Sequence, residues 1–285
     1  MSKVRTVSAT VNVSVVGNAQ VKLTLRVTEN QARRSLKFGQ GNAKLADGIT
    51  TFSLPAGFSC PFARDCLSKA DRKTGTIQDG KHLKFRCYAT SMECRHSNVR
   101  RSRWHNFDLL RACGSIEEMA QLILDSLSPF TGYVRIHESG DFFSQDYFDA
   151  WVLVAQARPR TTFYSYTKAL PFWVRRSGLV GDGFDPGKVS NFVLTASHAG
   201  THDHLIQEHR LRSARVVFTQ AEADDLGLEV DHDDSHAIVH GPSFSLLLHG
   251  QQPKGSEAAM AGRSLRDSGF SGYGATKTRL PLNVL

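Results

Sequence analysis

The sequence has no long apolar run, few cysteines and few prolines. Its 285 residues include five Cys, nine Pro, four Met and three Trp. A transmembrane helix needs about 20 consecutive, mainly apolar residues, and no such run occurs. The opening segment, MSKVRTVSATVNVSVV, alternates apolar and polar residues and lacks the apolar core of a secretory signal. We therefore expect a cytoplasmic protein without a membrane partner, whose thiols stay reduced.

An odd number of cysteines in a reducing compartment argues against a disulfide framework. Four of the five, with gaps of five, twenty and six residues between them, are candidate metal ligands: Cys60, Cys66, Cys87 and Cys94. Structural zinc sites usually take two ligands from one knuckle, with roughly two to four residues between them. The wider gaps favour an iron–sulfur cluster, in its simplest form a 4Fe-4S cubane, over zinc, which stays the alternative metal. Cys113 is predicted to be a buried small residue.

Basic residues outnumber acidic ones, and the excess is concentrated between residues 81 and 111. The net charge is +8 at pH 7. Such a surplus suits contact with a polyanion, and we predict nucleic-acid contact through Arg95, Arg100, Arg101 and Arg103. Two other interpretations stay open. The arginines could form a solvated helix face, or they could lower the pKa of nearby thiols and offset the charge of a cluster.

Alternation and apolar runs predict an α/β protein in two parts. Residues 5–28 hold two alternating runs around a Gly-Asn turn, which predicts a β-hairpin within residues 1–35. In the second part, residues 36–285, we expect residues 36–60 to form an ordered loop. Five apolar runs then alternate with helical segments, which predicts a parallel sheet. The runs are residues 133–137, 161–168, 191–197, 214–220 and 244–250.

Polar residues collect just after these runs. Ligand sites of parallel α/β proteins lie at the carboxyl ends of the strands, so we expect a site there. Any one of these residues could instead cap a helix or end a strand. They are His137, Glu138, Ser139, Gly140 and Asp141 after the first run, Tyr166 and Lys168 after the second, and Ser197 and His198 after the third.

Two loops are dense in His and Asp, residues 201–204 and 231–236. Carboxylates and imidazoles could bind a divalent ion. The same residue types also fill turns and cap helices. Both interpretations stay open.

Four segments share the features of one known family. They are ITTFSLPAGFSCPFARDC, RCYA at residues 86–89, VRIHESGDFFSQDYFDAW and NFVLTAS. Together they resemble the phage family called gene product 88, from roughly Gly39 to Gly269, in a Cys-Pro…Cys…Cys-Tyr-Ala signature followed by a strand that ends in Ser-Gly-Asp. The resemblance implies a phage protein in the cytoplasm of an infected bacterial host, without a defined biochemical activity.

The cysteines and the Ser-Gly-Asp turn also look, more distantly, like the radical S-adenosylmethionine enzyme superfamily. Its members hold a four-iron cluster with three closely spaced cysteines, the last followed by an aromatic residue, at the mouth of an incomplete (β/α)6 barrel. Cys87 and Tyr88 are similar to that last cysteine and its neighbour. Ser139, Gly140 and Asp141 look like the Gly-Gly-Glu turn that binds the methionyl amino group. The resemblance implies an incomplete (β/α)6-like parallel barrel after the N-terminal hairpin, with S-adenosylmethionine as a second cofactor.

The main prediction is an iron–sulfur protein whose cluster has a structural or redox role. Cys60, Cys66 and Cys87 are the expected ligands near the Ser-Gly-Asp turn. Their gaps of five and twenty residues are wider than those of radical enzymes, which is why a role without catalysis ranks first. The candidates for the fourth iron position are Cys94, His137, Glu138 and His198, or the position is open.

Two alternatives stay open beside the main prediction. In the first, the chain is a radical enzyme whose cluster reduces a bound cofactor, and Tyr166, Lys168 and His198 face an unknown substrate. In the second, zinc replaces iron and the chain only binds nucleic acid.

Overall fold

The computed structural model describes residues 6–14, 20–28, 35–41, 45, 47–176 and 189–270. The chain divides into two units, Met1–Leu36 and Lys37–Leu285. In the first unit, strand β1 (Thr6–Ser14) pairs antiparallel with strand β2 (Gln20–Thr28). Alternating apolar and polar residues favour such a pair, because successive side chains of a strand point to opposite faces. Residues 17–19 of the predicted turn lie outside the described residues.

The second unit is built on a parallel sheet. Its strands, among the described residues, are β3 (Ile49–Ser53), β4 (Ser68–Ala70), β5 (Ile77–Asp79), β6 (Tyr133–Ser139), β7 (Thr162–Thr167), β8 (Phe192–Ser197), β9 (Ser213–Val217) and β10 (Phe244–Leu247). Strands β4 and β5 form a short antiparallel pair. The other six form one sheet in the order β3-β6-β7-β8-β9-β10, with every neighbouring pair parallel. The protein therefore has a mixed α/β fold with a mainly parallel six-stranded sheet.

Helices connect most of these strands. They are α1 (Tyr88–Arg95), α2 (Ser97–Arg111), α3 (Ile116–Ser126), α4 (Gln145–Ala157), α5 (Leu170–Val174), α6 (His204–Glu208), α7 (Gln220–Asp225), α8 (Ser235–Ile238) and α9 (Glu257–Asp267). Ser115 and Ser144 begin α3 and α4, because each hydroxyl accepts a backbone N–H three residues on, at 3.2 Å in both cases. In the described ranges, no helix is long and apolar enough to cross a membrane.

Strand β3 lies where the sequence predicts only a loop. The loop predicted for residues 36–60 is wrong for residues 49–53, which form the first strand of the sheet. The segment ITTFS shows no alternation because four of its five residues are buried. In the sheet, Ile49 pairs with Tyr133 of β6. The strand is therefore stabilised by residues far along the chain, which its local sequence does not reveal.

One face of the sheet carries a layer of apolar side chains. Each of the six strands contributes one residue to it: Ile49, Tyr133, Tyr164, Val193, Ala214 and Phe244. Ala237 and Ile238 of α8 belong to the same cluster. Phe52 of β3 packs instead against Trp151 of α4, with ring centroids 5.6 Å apart. The edge strands β3 and β10 do not pair with each other in the described part of the chain, so these strands form no closed barrel.

The parallel arrangement brings the carboxyl ends of the strands to one edge of the sheet. Strand β3 leads into the segment that holds the first two cysteines, and β6 ends at Ser139. Lys168 follows β7 and His198 follows β8. The polar residues predicted to form a site therefore lie along the same edge as the cysteines.

Replacement of Phe52 by Ala tests the position of β3. The ring is fully buried, so Phe52→Ala should lower the free energy of unfolding by about 3–5 kcal/mol through loss of packing. Phe130→Ala is the matched control, since Phe130 is 90% exposed, and its effect should stay within about 0.5 kcal/mol. Urea unfolding followed by circular dichroism measures both. Equal unfolding midpoints for the two variants would contradict the placement of β3 in the sheet.

Candidate functional site

Three cysteines from two segments lie near one another at the carboxyl edge of the sheet. Cys60 and Cys66 follow β3, and Cys87 lies at the N-terminus of α1. Burial raises the pKa of the Cys60 thiol well above its usual value, and the charges of Asp141, Cys87 and Cys66 raise it further. Burial, followed by the charge of Cys66, raises the pKa of Cys87 to about 11. Such charge effects require close neighbours, so we call Cys60, Cys66 and Cys87 the thiol group.

Backbone hydrogen bonds hold the segment between β3 and β4 in place. The N–H groups of Arg64 and Asp65 both donate to the carbonyl of Ala199, at 3.2 and 3.1 Å. Within the segment, the N–H of Gly57 donates to the Cys60 sulfur at 3.3 Å. The loop after β8 therefore fixes the position of the first two cysteines.

The ammonium group of Lys168 lies beside the thiol group. Its Nζ donates to the hydroxyl of Ser197 at 2.6 Å. Burial lowers the Lys168 pKa, but the charges of the thiol group and of Asp141 outweigh this effect, so the pKa is raised. A fixed positive charge at this position favours thiolates over thiols.

The turn Ser139-Gly140-Asp141 joins the end of β6 to the segment after β3. The Ser139 hydroxyl donates to the carbonyl of Leu54 at 2.9 Å, and the N–H of Leu54 donates back to the Ser139 carbonyl at 2.8 Å. Gly140 has a φ of +88°, a conformation that favours glycine. A Cβ at this position would lie 2.5 Å from the Ser59 hydroxyl. The turn is thus closed directly against the segment that carries Cys60.

The buried carboxylate of Asp141 accepts most of the hydrogen bonds that it can accept from groups of the protein itself. It accepts hydrogen bonds from the Thr167 hydroxyl at 2.6 Å and from the N–H groups of Lys168 and Phe142, both at 2.8 Å. Burial raises the Asp141 pKa, and these hydrogen bonds oppose the rise. A carboxylate has about four acceptor positions, so three bonds leave little capacity for a ligand. Asp141 ties the end of β6 to the end of β7.

A buried ion pair supports both the turn and the cysteine segment. The Glu93 Oε1 accepts from the N–H of Ala56 and from the Arg103 guanidinium, both at 2.8 Å, and the Ser139 hydroxyl lies 3.4 Å away. Burial raises the Glu93 pKa, against the charge of Arg103. The second oxygen of Glu93 is buried without a hydrogen-bond partner among the described residues. The sequence does not predict this role of Glu93. Its one indication is that an acidic residue occurs within a basic segment.

The predicted nucleic-acid surface is corrected for two of its four arginines. Arg103 donates to the Glu93 carboxylate, and Arg100 donates to the Glu93 carbonyl. These arginines are only 5% and 7% exposed, so they hold α2 against the rest of the chain and cannot contact a polyanion. Arg95 and Arg101 are exposed.

Cys94 and His137, two candidates for a fourth ligand, lie in different surroundings. Cys94 is exposed in the last turn of α1. Its charge is not among the main causes of the raised pKa of Cys60 or of Cys87. His137 is buried with a φ of +65°, and its Nε2 shares a 3.0 Å hydrogen bond with the Tyr147 hydroxyl. Burial lowers the His137 pKa to about 3. The structure therefore brings together three of the four predicted cysteines and leaves Cys94 at the surface.

Glu138 and His198, the other two candidates, lie at the ends of β6 and β8. The Tyr88 hydroxyl donates to the Glu138 carbonyl at 2.6 Å, which ties the end of β6 to the start of α1. The His198 Nε2 shares a 3.2 Å hydrogen bond with the Ser213 hydroxyl. Burial lowers the His198 pKa.

In the ranges that the structure describes, no group of three or more His, Cys, Asp or Glu side chains is arranged so that it could hold a metal ion. The two loops rich in His and Asp use their carboxylates differently. Asp203 accepts the N–H groups of Ala199 and Gly200 at 2.8 and 2.9 Å. Asp234 forms a buried ion pair with Arg135, with 2.6 Å between oxygen and nitrogen. The turn-forming interpretation of these loops is therefore the better supported one.

The fold and the site together define a class: a parallel α/β protein with a group of partly buried thiols and a lysine at the carboxyl ends of its strands. The family model for gene product 88 matches residues 27–270. The chain belongs to the gene product 88 family, as the resemblance in the Cys-Pro, Cys-Tyr-Ala and Ser-Gly-Asp segments predicts. A bacteriophage origin is thereby supported.

Two curated relatives come from mycobacteriophages. The "Gene 88 protein" of Mycobacterium phage L5 is 29% identical over 143 residues, which cover 46% of this chain and 52% of the relative. The "Gene 88 protein" of Mycobacterium phage D29 is 28% identical over 143 residues, covering 46% and 51%. The chain spans about half the length of these relatives. No solved structure matches the chain, and none of these matches is to a radical S-adenosylmethionine enzyme.

Gly140→Ala tests the closed turn after β6. The new methyl group would meet the Ser59 hydroxyl and lie 2.7 Å from the Leu54 Cβ, and the backbone would be strained, so we expect a loss of about 1–3 kcal/mol. Gly132→Ala, before the same strand, is the control, because a Cβ there meets nothing within 4 Å. Urea unfolding gives both values. Equal stability of the two variants would show that the turn does not pack as described.

The stability of the metal-free protein should fall at alkaline pH. An unfolded thiol titrates near pH ~8.5, whereas burial raises the pKa of Cys87 to about 11. The folded state therefore favours the protonated thiol, so this contribution is complete below pH ~8.5 and is lost as the pH rises through the folded pKa.

Urea unfolding at several pH values measures this decrease. Cys87→Ala should make it shallower, because this variant lacks the thiol whose pKa is raised in the folded state. An identical pH dependence in Cys87→Ala and the unaltered chain would contradict the assignment.

Proposed function

We propose that the thiol group binds an iron–sulfur cluster with a structural or redox role. The observation that carries this proposal is the convergence of Cys60, Cys66 and Cys87, from two segments, beside the Lys168 ammonium. Burial disfavours the charged forms of Cys60 and Cys87. A bound metal removes this difficulty because it deprotonates a coordinating thiol outright. Lys168 would offset the negative charge of the resulting thiolates.

The gaps between the cysteines in the sequence support a cluster over a single zinc ion. Zinc holds its sulfur ligands at about 2.3 Å, so the ligands must crowd around one point. A four-iron cluster is larger, and its cysteine ligands stand farther apart. The gaps of five and twenty residues between Cys60, Cys66 and Cys87 suit the larger group.

The strand order supports a barrel-like arrangement around the site. The strands of the sheet follow one another in chain order from β3 to β10, whereas a doubly wound sheet reverses its order at a switch point. Every strand also contributes to one apolar layer. We propose that the sheet is an incomplete (β/α)6-like barrel, open between β3 and β10. The cysteines follow its first strand, and the Ser-Gly-Asp turn ends its second.

The second candidate is a radical S-adenosylmethionine-like enzyme, because the same strand order suits the incomplete barrel of that superfamily. The turn itself fits that cofactor poorly, because Asp141 already accepts three hydrogen bonds and the Ser139 hydroxyl donates to Leu54. The Tyr166 hydroxyl is hydrogen bonded to carboxylates of residues 231–236 rather than pointing to an open site. These bonds rank the role without catalysis above the enzyme.

A bound cluster would supply one-electron redox chemistry. The residues of the chain would set its surroundings. The partly buried positions of Cys60 and Cys87 would limit the access of water, and the Lys168 charge would favour the more negative, reduced form. With three cysteine ligands, one iron position would stay open, unless Cys94 or another side chain closes it.

The setting of this protein would be the cytoplasm of an infected bacterium, as its phage relatives suggest. Nucleic-acid binding by the basic face of α1 and α2 has less support than the cluster, because Arg100 and Arg103 are buried. A zinc-containing nucleic-acid module is accordingly the third candidate.

Purification without air tests the cluster directly. The protein should be brown, with a broad visible absorption band and roughly four irons and four sulfides per chain. Single replacements of Cys60, Cys66 and Cys87 by Ala should each abolish the colour. Cys113→Ala is the matched control and should keep it, because that thiol is hydrogen bonded to the Leu109 carbonyl.

Circular dichroism of each variant shows whether a colourless variant is folded. Retention of colour by Cys94→Ala would leave the iron position to another ligand or to solvent. A colourless, folded protein with one zinc ion per chain would refute the cluster and favour the third candidate.

A further inference from the structure

A groove beside the end of α1 is lined by cations. It has a volume of about 530 Å³ and lies between α1, the segment after β10 and α9. Four cationic side chains line it: Arg95, Lys254, Arg263 and Arg266. None of the described residues that line it is an Asp or a Glu. The groove is therefore strongly electropositive.

The cations of the groove are not neutralised within the described part of the chain. The ion pairs found there do not include any of the four. Arg95 donates to the neutral side-chain carbonyl of Gln251 at 2.8 Å. Arg263 and Arg266 are exposed on adjacent turns of α9. Like charges held close together repel one another, and a bound anion relieves that repulsion.

The groove also has an apolar floor. Leu248, Leu265 and Phe270 contribute to its lining. Gly262 of α9 is buried there, and a Cβ on it would meet only the guanidinium of Arg266, at 3.6 Å. The missing side chain leaves the space above the floor open. An apolar floor with a cationic rim suits a ligand that has a flat ring at one end and phosphate at the other.

Two residues that line the groove pack against Tyr88, the neighbour of Cys87 in the thiol group. His249 lines the groove, and its ring lies 4.9 Å from the Tyr88 ring at an angle of 35°. Gly250 has a φ of +83°, and a Cβ on it would lie 2.9 Å from the Tyr88 Cβ. Tyr88 directly follows Cys87. The rings of His249 and Tyr88 would therefore lie between a ligand in the groove and Cys87.

We propose that this groove binds a nucleotide, with the phosphates at the four cations and the base over the apolar floor. Guanidinium groups bind phosphate oxygens in pairs, which favours two arginines on adjacent turns of one helix. The cations surround one cavity of the size of a single small ligand. A nucleic-acid strand would need a longer basic track. The proposal goes beyond the cluster and does not depend on it.

Calorimetric titration of the purified protein with ATP tests the site. We expect binding that weakens as salt is added. The double variant Arg263→Ala/Arg266→Ala should lose at least about tenfold in affinity, because each charge-assisted hydrogen bond to phosphate is strong. Gly262→Leu should also lose about tenfold by filling the groove, without loss of helix stability, because leucine is a better helix former than glycine.

Arg101→Ala is the matched control, since Arg101 is exposed on α2 and does not line the groove. It should bind ATP as the unaltered chain does. Tripolyphosphate should bind more weakly than ATP, because it lacks the base. ATP binding that is equal in the unaltered chain and in both groove variants would overturn the proposal. So would an oligonucleotide of about 12 residues that binds far more tightly than ATP and loses affinity in the groove variants, because the ligand would then be a strand.

Discussion

The buried carboxylate of Glu93 holds three parts of the molecule in fixed relation. Through the N–H of Ala56 it holds the segment before the first cysteine, through Arg103 it holds α2, and through Ser139 it reaches the end of β6. A buried charge is costly without its partner, so these parts are arranged around the ion pair. Since Glu93 lies on the helix that Cys87 begins, the same pair also sets the direction from which the third cysteine enters the site.

Much of the sheet can be predicted from the sequence, and the physical reason lies in its burial. Strands β6 to β10 are short apolar runs separated by helical segments, and the strand found at Phe192–Ser197 is buried in five of its six residues. Strand β3 escapes prediction because Thr50 and Thr51 are polar residues buried by pairing with β6. That pairing depends on a partner far along the chain. The composition of residues 49–53 alone does not reveal this pairing.

The candidate site also has residues that the sequence predicts and residues that it does not. The cysteines, Lys168 and the Ser-Gly-Asp turn can be found in the sequence because their residue types and positions after strands are informative. Arg103 cannot be assigned correctly from the sequence, since a buried arginine and an exposed one look alike in a basic segment. What distinguishes them is the carboxylate of Glu93 on the neighbouring helix. The groove is equally hidden, because Arg95 and Arg266 come from distant parts of the chain and meet only in the folded protein.

The placement of β3 beside β6 has a consequence for how the chain reaches its folded state. All three members of the thiol group lie in the connection between these two adjacent strands. Closing so long a connection costs chain entropy before the strands can pair. A metal group held by cysteines near the start of the connection and close to its middle would act as a cross-link that shortens the free loop. Assembly of the inorganic group and pairing of β3 with β6 would then be one cooperative event. The cysteines would help to hold β3 at the edge of the sheet.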